Sequence, residues 1–266
     1  MRLRSGCLRV LTVAGALAIT TLPAGASQIG YEGFKPSFPI YANGGTGFSG
    51  PWTQGGFNAF ASGYAPGESS LCFARLQTSG GSVSGGAFSA INGAIRSLAQ
   101  PLGADNTTAY LSFLVQPQGR LGSGVFSGFF GVTLNGSLFN DLFIGKPGGG
   151  AAEQYVLESR GGFGQVTSGA PTVVGRTALL VVKAEFHTGS DVFTLYVNPT
   201  PGGPEPAIGV VKADMDLGSV SKIGLYSTGA FAVDEIRIGT TFADVVPRDR
   251  NNGHDDARGC REEDDR

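Results

Sequence analysis

Between Ala178 and Val197 the sequence ALLVVKAEFHTGSDVFTLYV has a two-residue rhythm. Ala178, Leu180, Val182, Ala184 and Phe186 are all apolar, while the positions between them drift from Leu179 and Val181 to Lys183 and Glu185. Successive side chains of a strand point to opposite faces, so this run is a strand that begins buried on both faces and ends buried on one. His187 to Asp191, with Gly189 inside, has turn chemistry, and VFTLYV after it is rich in β-branched and aromatic residues. The two runs are predicted to pair as an antiparallel hairpin.

The same rhythm recurs upstream. In TTAYLSFLVQ, Ala109, Leu111, Phe113 and Val115 share one face, which places Thr107 to Gln116 in the middle of a sheet. Phe126 to Leu134 and Leu138 to Gly145 read as strands around Asn135-Gly136, a dipeptide that tolerates the positive φ of a tight hairpin. Shorter strands are expected at Ser27 to Phe34, Ser70 to Gln77, Gln154 to Ser159 and Val166 to Gly175. Gly80 to Gly93 and Gly93 to Leu102 have no fixed reading, and the four prolines of Asn198 to Pro206 make an edge loop. With 44 glycines and 15% charged residues, many short strands and tight turns are favoured over long helices, and 18 phenylalanines need a core to enter. The expected fold class is all-β, an antiparallel two-sheet β-sandwich.

The ending AVDEIRIGTTFADV resembles the last core strand of concanavalin A-like lectin/glucanase jelly rolls, in the laminin-G-like branch common in secreted bacterial proteins. YEGF (Tyr31 to Phe34) followed by GGTGFSGPW (Gly44 to Trp52) is similar to the way many of those proteins begin. The resemblance implies a jelly roll in which the first strand lies near the last. On the alternating pattern, Asp234 is expected to share a face with Ile236 and Ile238, and Glu235 and Arg237 to share the other.

The amino terminus has the layout of an export leader: Arg2, Arg4 and Arg9, an apolar run from Val10 to Leu22, and Ala24-Gly25-Ala26 before Ser27. Three regions follow: residues 1–26 as leader, 27–247 as one β-sandwich domain, and 248–266 as a disordered charged tail. Secretion to the periplasm or the exterior is expected, with no membrane insertion after cleavage. The leader carries three of the 19 basic residues, which leaves 16 against 21 acidic ones, a net charge of −5. That charge offers no footprint for nucleic acid. Cys72 and Cys260 remain after cleavage, and both a disulfide and free thiols are open. Asn106-Thr107-Thr108 and Asn135-Gly136-Ser137 match the N-glycosylation acceptor pattern, and in a bacterial chain they would be turn polarity alone.

No catalytic set is evident. The paired carboxylates of a retaining glycosidase must flank one bond, whereas Asp234 and Glu235 are adjacent and expected on opposite faces. His187 is the one histidine of the folded body and lies in a turn; His254 is in the tail. Asp214 and Asp216, with Asp191, are the candidate oxygen ligands for calcium, the one cofactor for which the sequence offers ligands. Trp52, Tyr64, Tyr110 and Tyr155 are the candidate sugar-stacking aromatics. For Trp52 a second reading stands beside stacking, that it plugs one end of the sandwich. The lectin resemblance implies a glycan-binding or adhesive module whose partner is a polysaccharide or cell-surface glycan. A ligand-free envelope or matrix protein and a divergent glycoside hydrolase or polysaccharide lyase are the alternatives.

Overall fold

A computed structural model describes residues 27–36, 40, 42–54, 64–85, 92–119, 128–137, 140–148, 153–160 and 163–249. The leader region and the tail from residue 250, with Cys7, His254 and Cys260, lie outside them. The first strands are β1 (Gln28–Glu32), β2 (Thr53–Gln54), β3 (Ala65–Gly67), β4 (Ser82–Ser84) and β5 (Asn92–Leu102). Next come β6 (Thr107–Pro117), β7 (Phe130–Asn135), β8 (Asp141–Lys146), β9 (Gln154–Ser159) and β10 (Phe163–Pro171). The chain closes with β11 (Ala178–Phe186), β12 (Asp191–Val197), β13 (Val210–Met215), β14 (Val220–Ser227), β15 (Phe231–Gly239) and the short helix α1 (Phe242–Val245).

These strands form two antiparallel sheets stacked as a jelly-roll β-sandwich. One runs β13-β12-β11-β6-β15-β4-β3, with β1 also on β15; the other runs β10-β9-β8-β7-β14-β5-β2. The chain repeatedly changes layer, as from β5 to β6 and from β14 to β15, so neighbours in a sheet are often distant in sequence. The alternating positions Ala109, Leu111, Phe113 and Val115 of β6, and Ala178, Leu180, Val182, Ala184 and Phe186 of β11, all enter the core between the sheets. Leu179 and Val181 of β11 enter a second cluster on the outer face of the eight-stranded sheet, under Phe242, Val245 and Val246 of the α1 region. Early β11 is therefore covered on both sides, and Lys183 and Glu185 emerge where that cover ends.

Several local expectations are corrected. Ser70 to Gln77 is an irregular loop whose only ladder contact is Leu76 beside Arg248. Neither Asn135 nor Gly136 has positive φ; the β7–β8 link is a longer turn in which the Gly136 N–H donates to Asn140 O at 3.1 Å. The strand expected from Val166 starts at Phe163 and stops at Pro171, which has no N–H to extend it. Asn92–Leu102 is an 11-residue strand, and its Arg96 turns inward to pair with Glu32 of β1. Arg248 and Asp249 continue the ordered chain, the Asp249 N–H donating to Arg75 O at 2.9 Å.

The largest correction concerns β15. Asp234 stands opposite Leu114 and Arg237 opposite Ser112, so Glu235 and Ile236 together face Phe113. This is a β-bulge, with Glu235 at φ 53°. The extra residue shifts the alternation: Ile236 and Ile238 go to the inner core as expected, while Asp234 faces outward beside Ala232, and Glu235 and Arg237 share that outer side.

Candidate functional site

The bulge lies where β15 changes neighbours. Its first half pairs with β4 at Ala232 and Val233, and its second half pairs with β1 from Ile236 to Gly239. Neither strand reaches the two acids between. The loop from Leu71 to Ser79 crosses that opening, and side chains of β15 take up its backbone groups. Asp234 Oδ2 accepts the Leu71 N–H at 2.9 Å, Glu235 Oε1 accepts the Ser79 N–H at 2.5 Å, and Arg237 Nη2 donates to Gln77 O at 2.5 Å. Asp234 Oδ1 accepts the Glu235 N–H at 2.7 Å, which holds the bulge. An unpaired backbone N–H buried from water is costly, so these carboxylates stand in for a missing strand.

Glu235 also pairs with the Arg237 guanidinium and accepts the Tyr31 hydroxyl at 3.0 Å; Tyr31 Oη lies 2.6 Å from Ser79 Oγ. The guanidinium carbon sits 5.1 Å from the centre of the Tyr31 ring. Burial, then the Glu235 charge, push the Asp234 carboxyl up to about 8. Burial also raises Glu235, against the lowering influence of Arg237. Burial followed by the Glu235 charge raises the Tyr31 phenol as well. Above this cluster opens a cleft of about 330 Å³ lined by Gln28, Tyr31, Gln77, Ser79, Arg237, Ala243, Asp244 and Pro247. Its volume falls within the range of roughly 300–1,000 Å³ typical of small-ligand sites, and two amides and two hydroxyls stand in walls that are otherwise a mixture of charged and apolar groups.

The four candidate aromatics lie elsewhere, and each is buried. Trp52 is 1% exposed, stacks on Phe34 at 6.1 Å and donates Nε1–H to Glu32 Oε2 at 3.3 Å, which makes it an interior plug. Tyr64 packs edge-on against Phe231, and Tyr155 sits in the core between the sheets. Tyr110 packs under Phe242 and, with Tyr196, clasps the Glu205 carboxylate at 2.8 and 2.7 Å. None of the four rings is free to stack on a sugar, and they do not converge.

The three aspartates proposed for calcium are also committed. Asp191 is 2% exposed, and its oxygens accept the N–H groups of His187 at 3.0 Å and Leu217 at 2.9 Å. Asp214 lies in strand β13, paired with the buried Lys212 at 2.6 Å, and Asp216 accepts the Gly218 N–H at 2.7 Å. Among the described residues no three acidic, histidine or cysteine side chains gather as a metal site. Cys72 is disulfide-bonded.

The outer face of the seven-stranded sheet carries a second polar group: the Asp141–Arg160 ion pair, with the Arg160 guanidinium 5.7 Å from the Tyr226 ring. Arg160 lies at the surface, but among the described residues the groups beneath it leave no recess. Tyr226 is 6% exposed and folds over Gly224, where a Cβ would lie 2.6 Å from the ring. Tyr31, Ser79 and Arg237 come from segments far apart in sequence, and alternation, which already pairs Glu235 with Arg237, gives no sign that the bulge adds Asp234 to their side. The available signal was a carboxylate pair inside an otherwise apolar core strand.

Among the described residues no helix is long and apolar enough to cross a membrane. No protein-family model matches the sequence, and no curated protein matches it. Among solved structures the chain is similar to the endo-1,3-beta-glucanase from Streptomyces sioyaensis, at 10% identity and TM-score 0.48, over 85% of this chain and 99% of that one. It is similar to the endo-beta-1,4-glucuronan lyase from the fungus Trichoderma reesei, at 10% identity and TM-score 0.48, over 82% and 98%. The T. cruzi calreticulin globular domain is similar at 10% identity and TM-score 0.47, over 73% of this chain and 86% of that one. At this identity and score each likeness concerns the course of the chain and no side chain of the cleft.

Proposed function

We propose that this chain is an exported, non-catalytic module that binds a unit of a polysaccharide or cell-surface glycan in the cleft over the β15 bulge. The observation that carries the reading is the cleft itself, about 330 Å³ walled by Gln28, Tyr31, Gln77, Ser79 and Arg237. Sugar hydroxyls both donate and accept, and amides and hydroxyls answer them in both senses. The carboxylates beneath are fully buried and spent on backbone N–H groups and on Arg237, so they brace the wall rather than flank a scissile bond. The leader-like amino terminus supports export, and the net charge of −5 after its removal favours neither nucleic acid nor an anionic membrane.

The test is a glycan array with the exported chain, followed by calorimetric titration of any hit against wild type, Gln28→Ala and Gln77→Ala. Both glutamines are exposed at the rim, so the variants keep the fold. Retention of a saccharide, weakened several-fold by either substitution, supports the proposal. Silence across the array, or binding indifferent to both changes, rejects it.

A further inference from the structure

The two N-glycosylation acceptor patterns have equal standing in the sequence, but the fold treats them differently. Asn106 stands in the β5–β6 turn, exposed together with Thr107 and Thr108 at the start of β6. Its φ of 62° is a left-handed conformation that asparagine tolerates better than most residues. The turn is held by main chain and neighbours. The Asn106 N–H donates to Phe186 O at 2.8 Å, Thr107 Oγ1 donates to Ala104 O at 2.5 Å, and Asp105 accepts the Thr188 hydroxyl at 2.7 Å. Among the described residues the Asn106 side-chain amide and the Thr108 hydroxyl make no hydrogen bond. The acceptor nitrogen and the hydroxyl two residues on, the two groups the pattern specifies, are thus both unspent and in water.

Asn135 is the opposite case. It is half-buried on the seven-stranded sheet, flanked in register by Asp141 and Lys222 and bonded through Oδ1 to the Thr133 hydroxyl at 2.9 Å. Its partner Ser137 is also engaged: Oγ accepts the Ser219 N–H at 3.0 Å, and its N–H donates to Leu217 O at 2.9 Å. An oligosaccharide there would have to enter at a half-buried side chain and a hydroxyl already held by these bonds.

We infer that Asn106 is an N-glycosylation site of this chain and that the folded protein excludes modification at Asn135. The donor is an oligosaccharide carried on a lipid diphosphate. The sugar C1–O bond to the diphosphate breaks, its electron pair leaves with the lipid diphosphate, C1 bonds to Asn106 Nδ2, and one amide proton is lost to base. The inference requires export, because the acceptor must meet the transferase outside the cytoplasm. It is independent of the cleft.

The full chain is to be expressed in a eukaryotic secretory host and the folded protein mapped by peptide mass spectrometry. An oligosaccharide on Asn106, lost in both Asn106→Asp and Thr108→Ala and unchanged in Asn135→Asp, is expected. Aspartate keeps the tolerance for left-handed φ while removing the acceptor nitrogen. Thr108→Ala leaves the turn residue untouched, so loss of modification is read even if the first variant folds poorly. Folded protein bare at Asn106, wherever it accumulates, or an oligosaccharide on Asn135, overturns the assignment.

Discussion

Glu32 on one sheet and Arg96 on the other form an ion pair across the interior of the sandwich, with side chains 5% and 1% exposed. Arg96 also donates from Nε to Gly50 O at 2.8 Å and from Nη2 to Asn43 Oδ1 at 2.8 Å, and its guanidinium lies 4.1 Å from the centre of the Phe48 ring. One cation therefore anchors the glycine-rich loop that carries Trp52 to its plugging position.

Removing one member of this pair strands a buried charge. Arg96→Met is expected to cost about 3–5 kcal/mol. The Glu32→Gln, Arg96→Met double variant should recover part of that loss, because neither charge is then left alone. Trp52, the single tryptophan, reports the transition in denaturant by its fluorescence. A single variant within about 1 kcal/mol of wild type would contradict a pair acting as the tie between sheets.

Asp234 should make stability depend on pH in an unusual direction. Its carboxyl is raised from 3.8 to about 8, chiefly by burial, so the folded state keeps a proton that the unfolded state releases near 4. The contribution is fully present below the unfolded value and is lost as pH climbs toward 8. Burial moves Glu235, Asp141 and Glu158 in the same sense. Urea midpoints are expected to fall between pH 5 and pH 9, and Asp234→Asn should flatten that decline while lowering stability at pH 5. A midpoint that rises over the interval would refute the assignment.

Asp191→Ala leaves the His187 and Leu217 N–H groups without acceptors, one at each side of the β12 entry. About 2–4 kcal/mol of stability should go with it. Millimolar calcium or a chelator should shift the wild-type melting temperature by less than the error of the scan. A calcium-dependent rise that Asp191→Ala abolishes would restore the metal reading.

Gly47 sits at φ 80°, with the site of a Cβ only 2.0 Å from Ile29 O. Gly47→Ala must therefore push the loop off β1 and strain its own backbone, at a cost above about 2 kcal/mol. Limited proteolysis should then open the chain near Gly44 to Gly50, and an unchanged cleavage pattern would count against the close approach.

Strands whose pattern is set by burial were legible from sequence. The hairpin of β11 and β12 and the central strand β6 alternate because each has a face on the inner core, and Leu179 and Val181 even signalled the second layer above them. The cleft was not legible, because its walls come from β1, the loop before β4 and the segment around and after the end of β15, which only the folded chain brings together. Strict alternation separates Asp234 from Glu235; the bulge at Glu235 puts them on one side, a change of backbone conformation with no signature in residue type. The aromatics misled for a related reason: Trp52 and Tyr110 look like binding groups in a loop or on a strand, but two carboxylates, the buried Glu32 and the half-buried Glu205, satisfy their polar atoms. Val210–Met215 carries no strand signature in its sequence because Lys212 and Asp214, which pair with each other at the sheet edge, interrupt its apolar run.

The hydroxyl of Tyr31 meets Glu235 across a sequence separation of 204 residues. Contacts of such span close late, since the intervening chain must first surrender its freedom. β15 is also the strand that joins β6 to β4 and β1, so until it emerges the eight-stranded layer stays divided and the recess unmade. If the proposed glycan site is right, competence to bind would arrive as the final event of maturation, and a product truncated before β15 would lack it.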